Sequence, residues 1–390
     1  MSKLSSHIEE AIMRDEIQTD MLTTPIDHVI ADQLDATGQI WVSDYVLGKV
    51  AFEDYENYPY DTSLEPVVNI SLESFSSRVA EIWKKINDFL KRIGKWIRKV
   101  GNSTWLVSRA VNREAKNLQV LAPSRFGMVT SKKPLEVRMG TRFLSVRYRP
   151  IQDISNYISA SNVLLSQHKA YFDYIEKTLI PGINGIATAV RNLNLDDLDR
   201  EISRLETMVH HISPVAYQKS SRMSVIPGFQ DKWGGTQLLG DRRMVVTMPI
   251  DYPRTLSLHD ANQVSLKLQH AERSPKKPVD VVEIPRFDRV IFKQAIANVI
   301  ALSDLVQTKM SPEIRRKNER VLENLEASFK RLSDSLQSSE SDVNLQSITP
   351  ILRLSKTLTG WLTDPYVGVC GETISIARAG LMLCRQNLMN

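Results

Sequence analysis

Residues 74 to 100 read SFSSRVAEIWKKINDFLKRIGKWIRKV, and Phe75, Val79, Ile82, Ile86, Phe89, Ile93, Trp96 and Val100 recur at intervals of three or four. That spacing places them on one stripe of an amphipathic helix. Gly101-Asn102, with cations in the turn before it, predicts the helix stop. A second basic helix is expected from 104 to about 120. Between Pro123 and Pro150 the spacing shortens toward alternation, in Leu135-Glu136-Val137-Arg138 and in the run from Phe143 to Tyr148, with Gly140 between. A hairpin is the economical reading.

Helical spacing returns over 154 to 179 and 195 to 212, where Asp196, Asp197 and Asp199 suit a helix N-terminus. Residues 213 to 285 are the most punctuated, with Pro214, Pro227, Gly228, Gly234-Gly235, Gly240, Pro249, Pro253, Pro275, Pro278 and Pro285 around a short strand from Met244 to Met248. An irregular insertion with a small sheet and one helix near 256 to 269 is expected there. After Pro285, helical patterns cover about 286 to 309, 312 to 338 and 344 to 362, and a final helix covers about 372 to 388. Their short connectors predict antiparallel packing. The expected fold is therefore a mainly α helical bundle with a small β part (α+β). Its segments are an acidic leader over 1–73, basic amphipathic helices over 74–121, a mixed region over 122–285 and a C-terminal bundle over 286–390. No fixed-period repeat is present, and the Ser-rich tract 333 to 341 is the one low-complexity stretch.

Composition adds bounds. A chain of 390 residues with 42% hydrophobic content can bury a sizeable core. No window approaches 18 uninterrupted apolar residues, so no bilayer span is expected, and the Met1 segment has acids where a secretory signal needs a basic start and an apolar run. Synthesis in a cytoplasm follows as the expectation. Cys370 and Cys384 form no disulfide framework and are read as small apolar packing residues.

Charge changes the picture more. Residues 1 to 73 hold 15 Asp/Glu against three Lys/Arg (Lys3, Arg14 and Lys49), while the whole chain holds 45 against 50. The leader therefore carries −12 and the remaining 317 residues +17. The leader reads as a short helix from Ser5 or Ser6, through Ile8, Ile12 and Ile17, and then as weakly structured, partly disordered acidic sequence past Tyr55, Tyr58 and Tyr60. Asymmetry of this size suggests an acidic segment that masks a basic one or is removed from it.

Catalytic patterns are missing. The sequence has no G-x-x-x-x-G-K-[ST] loop, no G-x-G-x-x-G after a strand, no H-E-x-x-H and no paired C-x-x-C. His210-His211 diverge by about 100° on a helix and lack a third ligand at a clear spacing. Gly234-Gly235-Thr236, near Asp231 and Lys232, lacks the lysine and following helix of a phosphate loop and reads as a turn. The expectation is a non-enzymatic protein without cofactor or metal.

Two features carry information. Ser-x-Glu occurs at the charge break as Ser71-Leu72-Glu73 and just before it as Ser63-Leu64-Glu65. A protease reading such a site needs a small residue and a carboxylate on an extended segment, and Pro66, Val67, Val68 and Ile70 favour extension. The same letters also occur at Ser311-Pro312-Glu313 and Ser338-Ser339-Glu340, so location gives the motif its weight. The second feature is the helix that follows. Arg78, Lys84, Lys85, Lys91, Arg92, Lys95, Arg98 and Lys99 face only Glu81 and Asp88. Three readings stand side by side: contact with nucleic-acid phosphates, a membrane-surface or pore-promoting helix with Trp83 and Trp96 at a lipid interface, and the first helix of a bundle with a solvated basic back.

An acidic leader ending in Ser-Leu-Glu, followed by a W-K-K-I-x-x-F-L-K-x-I-x-x-W-I segment, resembles the internal head (inner body or ejected) proteins of phiKZ-like giant tailed phages. The resemblance rests on residues 63 to 100. It implies trimming by the phage prohead protease, with Ser71 as the small residue read, Glu73 before the scissile bond and Ser74 as the new N-terminus. Glu65 would be an earlier or alternative cut. It further implies a virion protein of the capsid interior, in company with other head proteins and non-specifically bound packaged DNA, and delivered into the host with that DNA. A transient scaffold or core protein of head assembly is the rival in the same setting, and a module acting on the host membrane is the rival from another class.

Overall fold

Residues 72 to 126 form one uninterrupted helix, α1 (Leu72–Phe126), of 55 residues. At 1.5 Å per residue it is about 80 Å long. The computed structural model describes residues 72–127, 132–137, 141–146, 149–214, 220–224, 226–233, 239–252, 255–270, 281–338 and 345–389. The leader helix near Ser5, the Ser63-Leu64-Glu65 pattern and Ser71 lie outside them.

The expected stop at Gly101-Asn102 is corrected by α1. Gly101 sits inside the helix, and a Cβ added there would stand 2.8 Å from Cδ of Arg315. The glycine serves close approach of another helix. The buried stripe continues past it through Val107, Val111 and Ala115, and Ser103 donates back to the Val100 carbonyl at 2.9 Å, so burial and hydrogen bonding carry the helix on.

The expected hairpin over 135 to 148 forms only in part. Strand β1 (Leu135–Val137) pairs antiparallel with β8 (Val282–Ile284), far along the chain. A 3₁₀ turn (Thr141–Leu144) replaces the expected alternation, and the local hairpin is the two-residue pair β2 (Ser145–Val146) and β3 (Arg149–Pro150).

Helix α2 (Ile154–Tyr174) starts at Asp153, whose side chain accepts from the Asn156 amide at 2.9 Å. The chain does not stop at 179, as the spacing suggested. A π turn (Ile175–Leu179) passes directly into α3 (Ile180–Arg191). Pro181 has no N–H for the carbonyl four residues back, and the wider turn accommodates that loss. After a 3₁₀ turn (Leu195–Asp197), α4 (Leu198–Ile212) follows.

The punctuated region builds a four-stranded antiparallel meander of β4 (Ser220–Met223), β5 (Phe229–Trp233), β6 (Arg242–Pro249) and β7 (Ser265–His270). The expected helix over 256 to 269 shrinks to α5 (Leu258–Ala261). Beyond it, Leu266 and Leu268 alternate with Ser265 and Lys267, and that period of two pairs them with β6 as Leu266↔Val246 and Leu268↔Met244.

Three helices close the chain: α6 (Arg289–Lys309), α7 (Pro312–Ser338) and α8 (Leu345–Asn387). α8 replaces the two helices expected over 344 to 388 and keeps Pro350 and Pro365 inside it. Asn262 supports it at the first proline, donating to the Pro350 carbonyl at 2.8 Å and accepting from Thr357 at 2.7 Å. At its far end Arg286 donates to the carbonyls of Asn387 and Met389 at 3.1 and 2.8 Å, filling acceptors that the helix terminus leaves open.

α8 is the axis of the core. It packs against α1, α6, α7 and β7, and one contiguous apolar cluster runs from Val79 to Leu388. The segments 74–121, 122–285 and 286–390 all contribute to it. By length and composition alone α6 and α8 could each cross a membrane, but the apolar window of α8 is 100% buried by the rest of the chain, which is where a core helix belongs.

Candidate nucleic-acid interface and the processing junction

α1 divides its surface by charge. At about 100° per residue, Val79, Trp83, Ile86, Phe89, Leu90, Ile93 and Val100 fall within an arc of about 120°, and the eight cations from Arg78 to Lys99 fall within a separate arc of about 160°. All seven of those apolar residues are buried, and Arg78, Lys84, Lys85, Lys91, Arg92, Lys95, Arg98 and Lys99 are exposed. Packing of the apolar arc against the bundle thus fixes the cations outward. Lys356 lies over the Phe89 ring at 5.3 Å, which ties the buried edge of α1 to α8.

Two acids of α1 itself temper this face. Glu81 pairs with Lys85 at 3.1 Å, one turn away, and that hydrogen bond holds its carboxyl below the ordinary range. Asp88 is exposed within the cationic arc.

Trp83 lies inside the bundle at 8% exposure. A membrane helix would need that indole and its stripe free for the acyl boundary, and here the stripe is already packed against protein. The Trp96 side chain lies outside the described residues. The arrangement seen on α1 is that of a bundle helix with an exposed basic back.

The Glu73–Ser74 bond lies in the first turn of α1, which begins at Leu72. First-turn amides have no intrahelical acceptor, so this turn opens at little cost. Ser63-Leu64-Glu65 and Ser71 lie outside the described residues.

A second polar cluster escaped the sequence reading because it is assembled from distant segments. Glu372 of α8 is buried, and its Oε2 is 4.0 Å from Nη1 of Arg242 at the start of β6. It presses on Gly240, where an added Cβ would meet Oε1 at 2.1 Å. Gly240 has φ 79° and the following Asp241 φ 59°, so the chain reverses here in the left-handed region. Asp241 in turn accepts from the Ser145 hydroxyl at 2.5 Å. Neither Glu372 oxygen has a hydrogen-bond partner among the described residues. Burial drives its carboxyl up to about 7 against the opposing pull of Arg242 and Arg142. One turn of sequence offered a hint, since Glu372 interrupts the apolar stretch Val369-Cys370-Gly371-Glu372-Thr373-Ile374.

Next to it, His168 shares a hydrogen bond with Thr373 at 2.7 Å, and burial holds its imidazole down at about 3. Thr373 already donates to the Val369 carbonyl at 2.6 Å, so His168 Nδ1 is the donor. The other histidines raised by the sequence do not form a ligand set. His210 stacks on Tyr252 at 5.5 Å, and among the described residues no group of three or more His, Cys, Asp and Glu is arranged to hold a metal ion. Cys370 and Cys384 are both buried free thiols.

Architecture and surface together define a mainly helical structural protein with one strongly cationic helix face. The family of phiKZ-like phage internal head proteins matches residues 50–386, and the chain belongs to that family. The match extends far beyond the 63 to 100 segment on which the resemblance rested, and takes in the last part of the acidic leader. No curated protein and no solved structure matches the chain. This is a structural protein of the phage head interior.

Proposed function

We propose that the chain is made in the host cytoplasm as a proprotein, enters the phage head, and is cut after Glu73 by the prohead protease to leave a basic body in contact with packaged DNA. The observation that carries this reading is the coincidence of the charge break with the start of α1: −12 over residues 1 to 73 gives way to +17 over the rest, and the cationic face begins at Arg78 in the second turn. An acidic leader competes with DNA for that face, and its removal raises the protein's net charge from +5 to +17. DNA supplies the complementary surface, with one charge per ~1.7 Å of axis.

Peptide mass spectrometry on the protein from purified particles tests this. The expected result is an N-terminal peptide beginning at Ser74, with no peptide from residues 1 to 73. An intact Met1 end in finished particles overturns the processing step. Absence of the 74 to 390 body from finished particles replaces the reading with that of a scaffold dismantled during assembly.

A further inference from the structure

The cations of α1 are ordered as well as one-sided. Arg78, Lys85, Arg92 and Lys99 form one row, and Lys84, Lys91 and Arg98 form the row beside it, each step being seven residues. Seven residues of α-helix rise about 10.5 Å, two turns, so members of a row stand almost one above another. The rows together extend about 32 Å, close to nine base pairs.

The rows end at a corner. α7 packs against α1, with the alkyl chain of Arg315 lying over Gly101 and its Nε donating to the Met310 carbonyl at 3.0 Å. One turn back on α1, Arg98 reaches Glu319 of α7 at 3.8 Å. Glu319 is flanked on α7 by Arg316 and Arg320, both exposed. Arg316 and Arg320 are four residues apart and so share a face. The fold therefore brings Arg98 of α1 to the stretch of α7 that carries Arg315, Arg316, Glu319 and Arg320. Glu323 and Glu326 follow on α7, and the positive surface ends there.

Exposed cations on neighbouring turns sum to a positive field that attracts a polyanion. We propose that the two rows of α1 and the Arg316/Arg320 pair of α7 form one continuous seat for the phosphate backbone of double-stranded DNA, with the corner as its closed end. This rests on the reading above that the basic face of α1 meets packaged DNA, and adds its length and second helix. A duplex fits better than a lipid surface for two reasons. The exposed cations form an extended linear array, which suits a rigid polyanion, and the apolar arc that would enter a bilayer is buried.

The test uses the chain beginning at Ser74, which keeps the whole core from Val79 to Leu388. Its binding to a duplex of about 30 base pairs is followed between roughly 50 and 200 mM salt, where each phosphate contact contributes about 0.9 to the slope of log K against log salt. The double variant Arg316→Gln/Arg320→Gln is expected to lower that slope by about 2. Lys330→Gln/Arg331→Gln, exposed on the same helix beyond the patch, is expected to leave it unchanged. If the parent binds and the two variants are indistinguishable from it, the corner is overturned while the α1 reading stands. If the parent itself shows no salt-dependent binding to DNA, both fall. Binding to vesicles of anionic phospholipid without binding to DNA overturns both in favour of a membrane role. Thermal unfolding of each variant, matched to the parent, separates lost contacts from lost fold.

Discussion

The hydroxyl of Tyr157 rests on the backbone of α8 at Gly380, so closely that a Cβ there would stand 2.0 Å from it. The same hydroxyl donates to the Ile376 carbonyl at 3.2 Å. Tyr157 is fully buried, and its ring cannot swing aside as a long aliphatic chain would. Gly380→Ala should therefore destabilise the protein by about 1–3 kcal/mol, the usual range for overpacking a core. Gly94→Ala is the matched control: nothing lies within 4 Å of the added methyl, and alanine in a helix interior gains up to about 1 kcal/mol over glycine. Denaturant unfolding of the two variants should move in opposite directions. Equal shifts would remove the close contact as the reason for Gly380.

Asn112 fixes the pairing of α1 with α6. Its Nδ2 donates to Ser303 Oγ at 2.9 Å and to Asp304 Oδ1 at 2.8 Å, and one turn away Gln307 donates to the Ser108 carbonyl at 3.1 Å. Asn112→Ala should cost about 1–2 kcal/mol, because the Ser303 hydroxyl loses its donor where water is scarce. A double-mutant cycle with Ser303→Ala checks this: the coupling should be positive, and simple additivity would sink the claim.

Glu372 and His168 give opposing pH dependences. In the folded chain Glu372 keeps its proton up to about 7, whereas an ordinary glutamate loses it near 4.5. The folded state thus holds the extra proton in that window, and this group's contribution falls as pH rises through it. His168 stays neutral down to about 3 rather than 6.5, so its contribution falls as pH drops below 6.5. Between 4.5 and 6.5 the two slopes cancel. Glu372→Gln removes the first and should leave stability, relative to the parent, rising with pH by up to about 1.4 kcal/mol per unit in that window. Urea unfolding at both ends of the window measures it. Parallel pH profiles for parent and variant would refute it.

Cys370 and Cys384 are both fully buried, and burial pushes both thiols up. The thiolate is the reactive form. Neither should react with an aromatic disulfide reagent in the native protein, and both should react at once in denaturant. Prompt labelling of the native protein would mean that α8 is more open than described.

How much of this was legible in sequence depends on whether the deciding force is local. The apolar stripe from Val79 to Val100 named its buried face and its basic back, because a period of 3.6 is a property of the helix itself. Ser265 to His270 held a period of two that neighbouring turn residues obscured. Gly101 and the position before Pro181 mark expected helix ends, while Pro350 falls inside an expected helix. Each stays within helical backbone because something elsewhere compensates: α7 lies against Gly101, a π turn absorbs Pro181, and Asn262 reaches the turn at Pro350.

By itself the sequence determined the charge reversal at Glu73, the mainly helical class and the outward direction of the α1 cations, since composition and periodicity are written residue by residue. Tertiary structure decided the rest. Pairing of Leu135 with Ile284, the encounter of Arg98 with Glu319, and the burial of Glu372 over Gly240 each join residues more than a hundred positions apart. Such contacts form because the chain has one core to fill, and which distant side chains meet is fixed only when all the helices have packed around α8.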